Sequence, residues 1–272
     1  MAYNHHKRTI LLGSVDKKIN LFQVAFRKYT KAGSISLPSP PHAICAERFG
    51  STHKDLIVVG DADGVVSVYD HNDWTEGSNP RLMCSQELHY DVNDVRRQRT
   101  MSVRKMALWP NIGLVSAGMD GRLVICKDIE HLSRNYKTLR EGHTRGVFAF
   151  AHSPMHRCFV SAGYDRRILI WDPFLPTPVG QLAKTSSDVV DVVINQGHNQ
   201  IITVTSDRKI KVYDIRTHTQ VCSLVDSAEY LFQNEHVTAA AFDHENQRLI
   251  TACNKIRLWP VRKSTTTAKR VG

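Results

Sequence analysis

Long apolar runs are missing from this chain: the best, Leu56 to Val59 and Ile201 to Val204, span a few positions, far short of the ~20 residues a membrane-crossing helix needs. No CxxC pair occurs among the six cysteines, Cys45, Cys84, Cys126, Cys158, Cys222 and Cys253, so neither a zinc knuckle nor a dithiol redox motif is encoded. The phosphate cradles GxxxxGK[ST] and GxGxxG are absent, which removes nucleotide chemistry of known type. The 14 histidines form no HxH or HxxxH with a carboxylate at ligand spacing, and His5 and His6 sit together near the N-terminus; no metal and no cofactor is expected. An apolar signal core is lacking as well, because Ile10, Leu11 and Leu12 run at once into Gly13, Ser14 and charge; the start reads as mature sequence. Proline and glycine are modest at 10 and 15, against 42% hydrophobic and 23% charged residues, the balance of a chain that folds. Cysteines scattered through apolar runs read as core fillers in a reducing compartment, which places the protein in the cytoplasm.

What the chain does have is a repeat. The segment RCFVSAGYDRRILIWD, 157–172, joins an apolar run, a small-residue turn with Asp165, and an alternating run ending in Trp171 and Asp172. The same frame recurs around Asp16, Asp63, Asp120 and Asp207, and a shortened sixth copy, LITACNKIRLWP, puts Asn254 in the turn and Trp259 after it. Successive turn aspartates lie 47, 57, 45 and 42 residues apart, a spacing that suits one supersecondary unit per copy. Period-two alternation and β-branched enrichment make the runs strands. A strand candidate precedes most copies (HAICAERF, SVRKMALW, GVFAFAHS, VVDVVI, HVTAAAF) and another follows several (RLMCSQEL, NYKTLRE, PVGQLAK, QVCSLV). Four strands per repeat, arranged radially, is an all-β propeller with six blades at about 9–37, 42–88, 102–140, 146–183, 189–225 and 236–260. Together they make one unit over 1–262, followed by a flexible basic tail at 263–272.

The stretch EGHTRGVFAFAHSPMHRCFVSAGYDRRILIWDP resembles a complete WD40 repeat, with its GH pair at Gly142 and His143 and its WD pair at Trp171 and Asp172. The resemblance implies a structural tetrad of His143, Ser161, Asp165 and Trp171. Asp16, Asp63, Asp120 and Asp207 match the turn aspartate of the other copies. The fifth copy offers Thr203, Asp207 and Tyr213 without a matching His, and the third Ser116 and Asp120 with Cys126 in the aromatic slot. The first copy is expected to begin at its second strand near Thr9, followed by a long loop from Arg27 to Pro41, and the last copy to stop after its third strand. These deficits fall on different blades, so a six-bladed ring, an open arc and a piece of a larger array all stand, and closure calls for further blades or a partner. The pattern is also similar to tandem-propeller WD proteins of ciliated organisms; no EF-hand loop is present, so calcium does not carry over.

WD40 resemblance implies a non-catalytic platform for other proteins, cytoplasmic and cytoskeletal or ciliary. The net charge of +10 keeps RNA or a ribonucleoprotein open as a second partner class, and His143, Ser161 and Asp165 keep a hydrolase as a remote third. Candidate partner contacts are the basic cluster Arg96, Arg97, Arg99, Arg104 and Lys105 ahead of the third copy, and the turn residues Tyr164, Arg166 and Arg167. Asp61, and Asp73 with Trp74, are further loop candidates.

Overall fold

The computed structural model describes residues 1–26, 28–49, 54–72, 80–91, 93, 100–225, 237–253 and 255–260. They form six antiparallel sheets, each a meander in chain order. The first holds β1 (Ala2–Asn4), β2 (Thr9–Ser14), β3 (Lys18–Ala25) and β4 (Lys28–Ser36); the second β5 (Pro41–Phe49), β6 (Lys54–Asp61), β7 (Val65–Asp70) and β8 (Arg81–Glu87). The third holds β9 (Val103–Trp109), β10 (Gly113–Gly118), β11 (Leu123–Cys126) and β12 (Tyr136–Thr138); the fourth β13 (Val147–Ser153), β14 (Cys158–Gly163), β15 (Ile168–Trp171) and β16 (Gly180–Leu182). The fifth holds β17 (Val189–Asn195), β18 (Gln200–Thr205), β19 (Lys209–Asp214) and β20 (Gln220–Val225), and the sixth β21 (Ala239–Asp243), β22 (Arg248–Ala252) and β23 (Ile256–Pro260).

Two expectations for the first copy are corrected. Ala2–Asn4 pairs with β2 as a fourth strand, through Ala2 with Leu11 and Asn4 with Thr9; three residues are too few to display alternation. Lys28–Ser36 forms an outer strand where the sequence reads as a loop. Its residues are mostly exposed, so no buried face imposes the apolar pattern by which strands are recognised.

Alternation explains how the sheets stack. In β6, Ile57 and Val59 join Leu11, Ile19 and Leu21 of the first sheet, while Leu56 and Val58 join Val103, Leu108 and Leu114 of the third. A sheet clasped between two others has no wet face, and β10 and β14 are accordingly buried at every position. The third and fourth sheets meet through Val115, Ile125, Phe150, Phe159 and Trp171, the fourth and fifth through Val160, Ile170, Val192 and Ile201, and the fifth and sixth through Ile202, Val204, Val237 and Leu249. Each such aliphatic side chain contributes about 1.5–3 kcal/mol when fully buried. Among the described residues no apolar cluster links the sixth sheet to the first. At the outer side of the last interface, Val212, Val221, Leu224, Leu249 and Trp259 wall a groove of about 890 Å³.

The inner strands β5, β9, β13, β17 and β21 adjoin one another in order. A polar tie spans three of the sheets. Lys105 Nζ, on β9, donates to Asp191 Oδ1 on β17 at 2.8 Å, and Asp191 Oδ2 accepts the backbone N–H of Ala240 on β21 at 3.0 Å. Ala149 holds the corresponding register position on the intervening β13, and its methyl is fully buried. Three sheets thus share one carboxylate. Asp191→Ala is expected to lower stability by about 1–3 kcal/mol, since it strands a lysine and a backbone donor in a partly buried setting; urea unfolding of the two proteins measures the difference.

Candidate functional site

The turns between second and third strands share one backbone device. The residue after the turn aspartate is left-handed in all five described copies: Lys17 (φ 63°), Gly64 (78°), Gly121 (76°), Arg166 (61°) and Arg208 (64°). At Gly64 and Gly121 space also demands glycine, because a Cβ would lie 1.9 Å from the carbonyl oxygen of His89 in the first and 2.7 Å from that of His143 in the second. The sixth turn residue, Asn254, lies outside the described residues.

In the fourth sheet the structure brings His143, Ser161, Asp165 and Trp171 into one chain of hydrogen bonds. His143 Nδ1 lies 2.9 Å from Asp165 Oδ1, His143 Nε2 lies 2.7 Å from Ser161 Oγ, and Trp171 Nε1 donates to Ser161 Oγ at 2.7 Å. The indole can only donate, so Ser161 accepts from it and turns its own proton to His143 Nε2. That leaves Nδ1 protonated and donating to Asp165, which fixes the tautomer. Burial alone would raise the Asp165 pKa, but the hydrogen bond from His143, with the N–H groups of Arg167 and Thr144, holds it below the usual carboxylate range. Ser161 and Trp171 are fully buried, so the Ser–His–Asp constellation presents no nucleophile to solvent.

The third sheet repeats the arrangement with a histidine that the sequence reading missed. His89 Nδ1 lies 3.0 Å from Asp120 Oδ1 and its Nε2 lies 2.9 Å from Ser116 Oγ. Its spacing conceals it: His89 precedes Ser116 by 27 residues, against 18 between His143 and Ser161, and Leu88 stands where the GH pair has glycine. Cys126 replaces the indole and donates its S–H to the carbonyl of Asp128 instead. Gly118 makes room, since a Cβ there would sit 2.4 Å from His89 Nδ1.

The remaining copies keep fragments. In the fifth, Asp207 accepts from the hydroxyls of Ser186, Ser187 and Thr205 and pairs with Lys209; against the upward push of burial, these hold its carboxyl far below its ordinary pKa. Two serines there do the work of the histidine. Thr203 and Tyr213 take no part: Thr203 points to the carbonyl of Lys211, and the Tyr213 hydroxyl is buried without a partner among the described residues. Trp259 Nε1 donates to Thr251 at 2.9 Å in the sixth. Asp16 stands exposed in the first, and among the described residues Asp63 in the second accepts only a long bond from Thr100. There Asp61 caps the turn, accepting from the N–H groups of Asp63 and Val65. Asp61 is 5% exposed, too buried for the partner contact its loop position implies.

At the same turn end, four consecutive inner strands carry an extra residue. The register slips between Pro41 and Ala43, Val103 and Lys105, Val147 and Ala149, and Val189 and Asp191. The bulged residues are His42, Arg104, Phe148 and Val190. A bulge re-aims its side chain, and here three of the four meet in a row. The guanidinium of Arg104 lies over the Phe148 ring at 4.9 Å and bonds His42 Nδ1 at 3.3 Å, while Tyr164 packs edge-on against Phe148 at 4.0 Å. Burial, then the Arg104 charge, depress the His42 pKa against the pull of Asp61, so the ring accepts from Arg104 as neutral imidazole.

Of the partner-contact candidates, Arg104 and Tyr164 therefore come together, on one ring. Lys105 turns inward to Asp191. Arg166 pairs with Asp188 at 3.4 Å, and Arg167 spends its donors on Gln181 Oε1 and the Gly142 carbonyl. Arg96, Arg97 and Arg99 lie outside the described residues, as do Asp73, Trp74 and the 263–272 tail.

The stacked antiparallel meanders and the His143–Ser161–Asp165–Trp171 network are similar to those of WD40-repeat proteins, and residues 134–172 match the WD40 family, "WD domain, G-beta repeat". Among its relatives, "Cilia- and flagella-associated protein 337 B" of Tetrahymena thermophila is 26% identical over 164 residues, covering 56% of this chain. "WD repeat-containing protein on Y chromosome" is 27% identical over 112 residues in Drosophila yakuba and 26% in Drosophila ananassae, covering 41% of this chain in each case. The matched stretches span only 13% of the Tetrahymena protein and 10% of the fly proteins.

Asp165→Ala is expected to lower stability by about 2–4 kcal/mol, and Trp171→Phe by about 1–2 kcal/mol because only the indole donor and part of the ring are lost. Because the folded-state pKa of Asp165 is depressed, its ionised form stabilises above the unfolded carboxylate pKa and that contribution vanishes as pH falls through the folded value. Thermal melts at neutral and strongly acidic pH read both: the gap between wild type and Asp165→Ala is expected to be full at neutral pH and to shrink on acidification.

Proposed function

We propose that this chain is a non-catalytic platform that binds other proteins at the turn end of its inner strands. WD-repeat proteins generally act as protein-interaction scaffolds, and the family is typically non-catalytic. The observation that carries the reading for this chain is the row His42, Arg104, Phe148 and Tyr164, built by bulges in adjacent sheets. Aromatic and arginine side chains on a rigid support are the groups that anchor protein interfaces at low entropic cost. Beneath the row the Ser161–His143–Asp165 constellation is committed to a buried staple, with Ser161 fully buried, which supports the non-catalytic reading. The name of the Tetrahymena relative supports a place at the cilium or flagellum, reached from the cytoplasm.

The test is affinity capture from a lysate of ciliated cells with the full chain as bait. Proteins retained in stoichiometric amounts after nuclease treatment, and lost from a Tyr164→Asp bait of unchanged melting temperature, are the expected result. Retention that vanishes with nuclease, or that is identical for both baits, would overturn the reading.

A further inference from the structure

Resting on that reading, we propose that Arg104 is a preformed receptor for a carboxylate, so that the partner segment bound at this face is an acidic peptide. Four described residues carry the cationic candidates' charge, and they differ in what already occupies them. Lys105 is neutralised by Asp191 and Arg166 by Asp188, while Arg167 is used up on neutral oxygens of its own sheet. Arg104 is exposed and forms no ion pair among the described residues; it has a ring beneath it and an imidazole beside it. Asp61, the carboxylate whose charge His42 feels, is turned into its own turn amides.

Geometry selects the ligand class. A guanidinium lying over an aromatic ring keeps its planar fork of N–H donors at the edge, where a carboxylate can accept two of them at once. The bond to His42 holds the fork in place, so little rotamer freedom is lost on binding. The same stacking argues against RNA as occupant. A base needs an open π face, and Phe148 is covered by Arg104 and flanked by Tyr164 at 4.0 Å. A peptide with acidic residues beside an aromatic one satisfies both the fork and the exposed Tyr164, which is 41% accessible.

The experiment is fluorescence anisotropy with the full chain and three labelled probes: Glu-Tyr-Glu-Glu-Tyr-Glu, the same peptide with glutamine for glutamate, and oligouridine. The acidic peptide is expected to bind tightest, more weakly as salt rises. Arg104→Ala should weaken it by about ten-fold or more, and Arg104→Lys by several-fold, because an ammonium cannot present the paired donors. Phe148→Leu should weaken it by a few-fold by releasing the guanidinium from its support. Arg216→Ala, at an exposed arginine paired with Asp214, should change nothing. Equal affinity of wild type and Arg104→Ala, with matching melting temperatures, would overturn the inference, as would equal binding of the glutamine peptide or tighter Arg104-dependent binding of oligouridine. Protein capture that survives in Arg104→Ala would sink the carboxylate receptor and leave the platform standing; absence of any nuclease-resistant capture would remove the platform itself.

Discussion

A four-stranded meander of alternating apolar residues on both faces cannot bury itself. Leu56 and Val58 face one way and Ile57 and Val59 the other, so each middle sheet is stable only with a neighbour on either side. That constraint orders the rest of the molecule. It forces the sheets to stack in chain order, makes the second strands of the third and fourth sheets buried at every position, and gathers the inner strands edge by edge. It also favours partners for the polar groups carried into the stack, although the buried Tyr213 hydroxyl has none among the described residues.

The His–Ser–Asp–Trp staples supply such partners and add something the apolar stacking lacks. Dispersion and burial tolerate sliding between sheets, whereas a directional network fixes where a turn sits against the loop entering the same sheet. His143 comes from the loop before β13, Asp165 from the turn after β14 and Trp171 from the end of β15, so one network sets three segments of one sheet. Where the histidine is gone, Ser186 and Ser187 bring hydroxyls to Asp207 from the corresponding loop. The aspartate persists through these changes because its carboxylate can accept from an imidazole, a hydroxyl, an ammonium or a backbone amide with equal ease.

Much of this was legible in the sequence. The turn aspartates, the alternating runs and the complete repeat at 141–173 locate the six sheets and the His143 network, because burial on both faces writes a strong pattern. What escaped was whatever burial does not dictate. Lys28–Ser36 pairs at an outer edge in solvent and so carries no apolar period; Ala2–Asn4 is too short to carry one. His89 is displaced from its expected spacing by the longer segment before β9. The bulges at His42, Arg104, Phe148 and Val190 leave no mark in composition, since a bulge is a property of register between two strands and neither strand alone encodes it.

Those bulges are where the structural and functional parts of the chain separate. The residue just after each bulge returns to the regular ladder and serves the interior: Ala43 and Ala149 are buried, and Lys105 and Asp191 tie sheets together. The bulged residue itself is released from that duty and aimed out of the stack. One inserted position per sheet thus lets neighbouring positions, Arg104 and Lys105, carry like charges to opposite ends: the lysine is spent holding the fold, and the arginine is kept available on an aromatic support. Repetition of the insertion in adjacent sheets then turns single side chains into a continuous row. A fold whose middle sheets are otherwise committed to burial acquires in this way a rigid row of outward-facing side chains, without loosening the core that supports it.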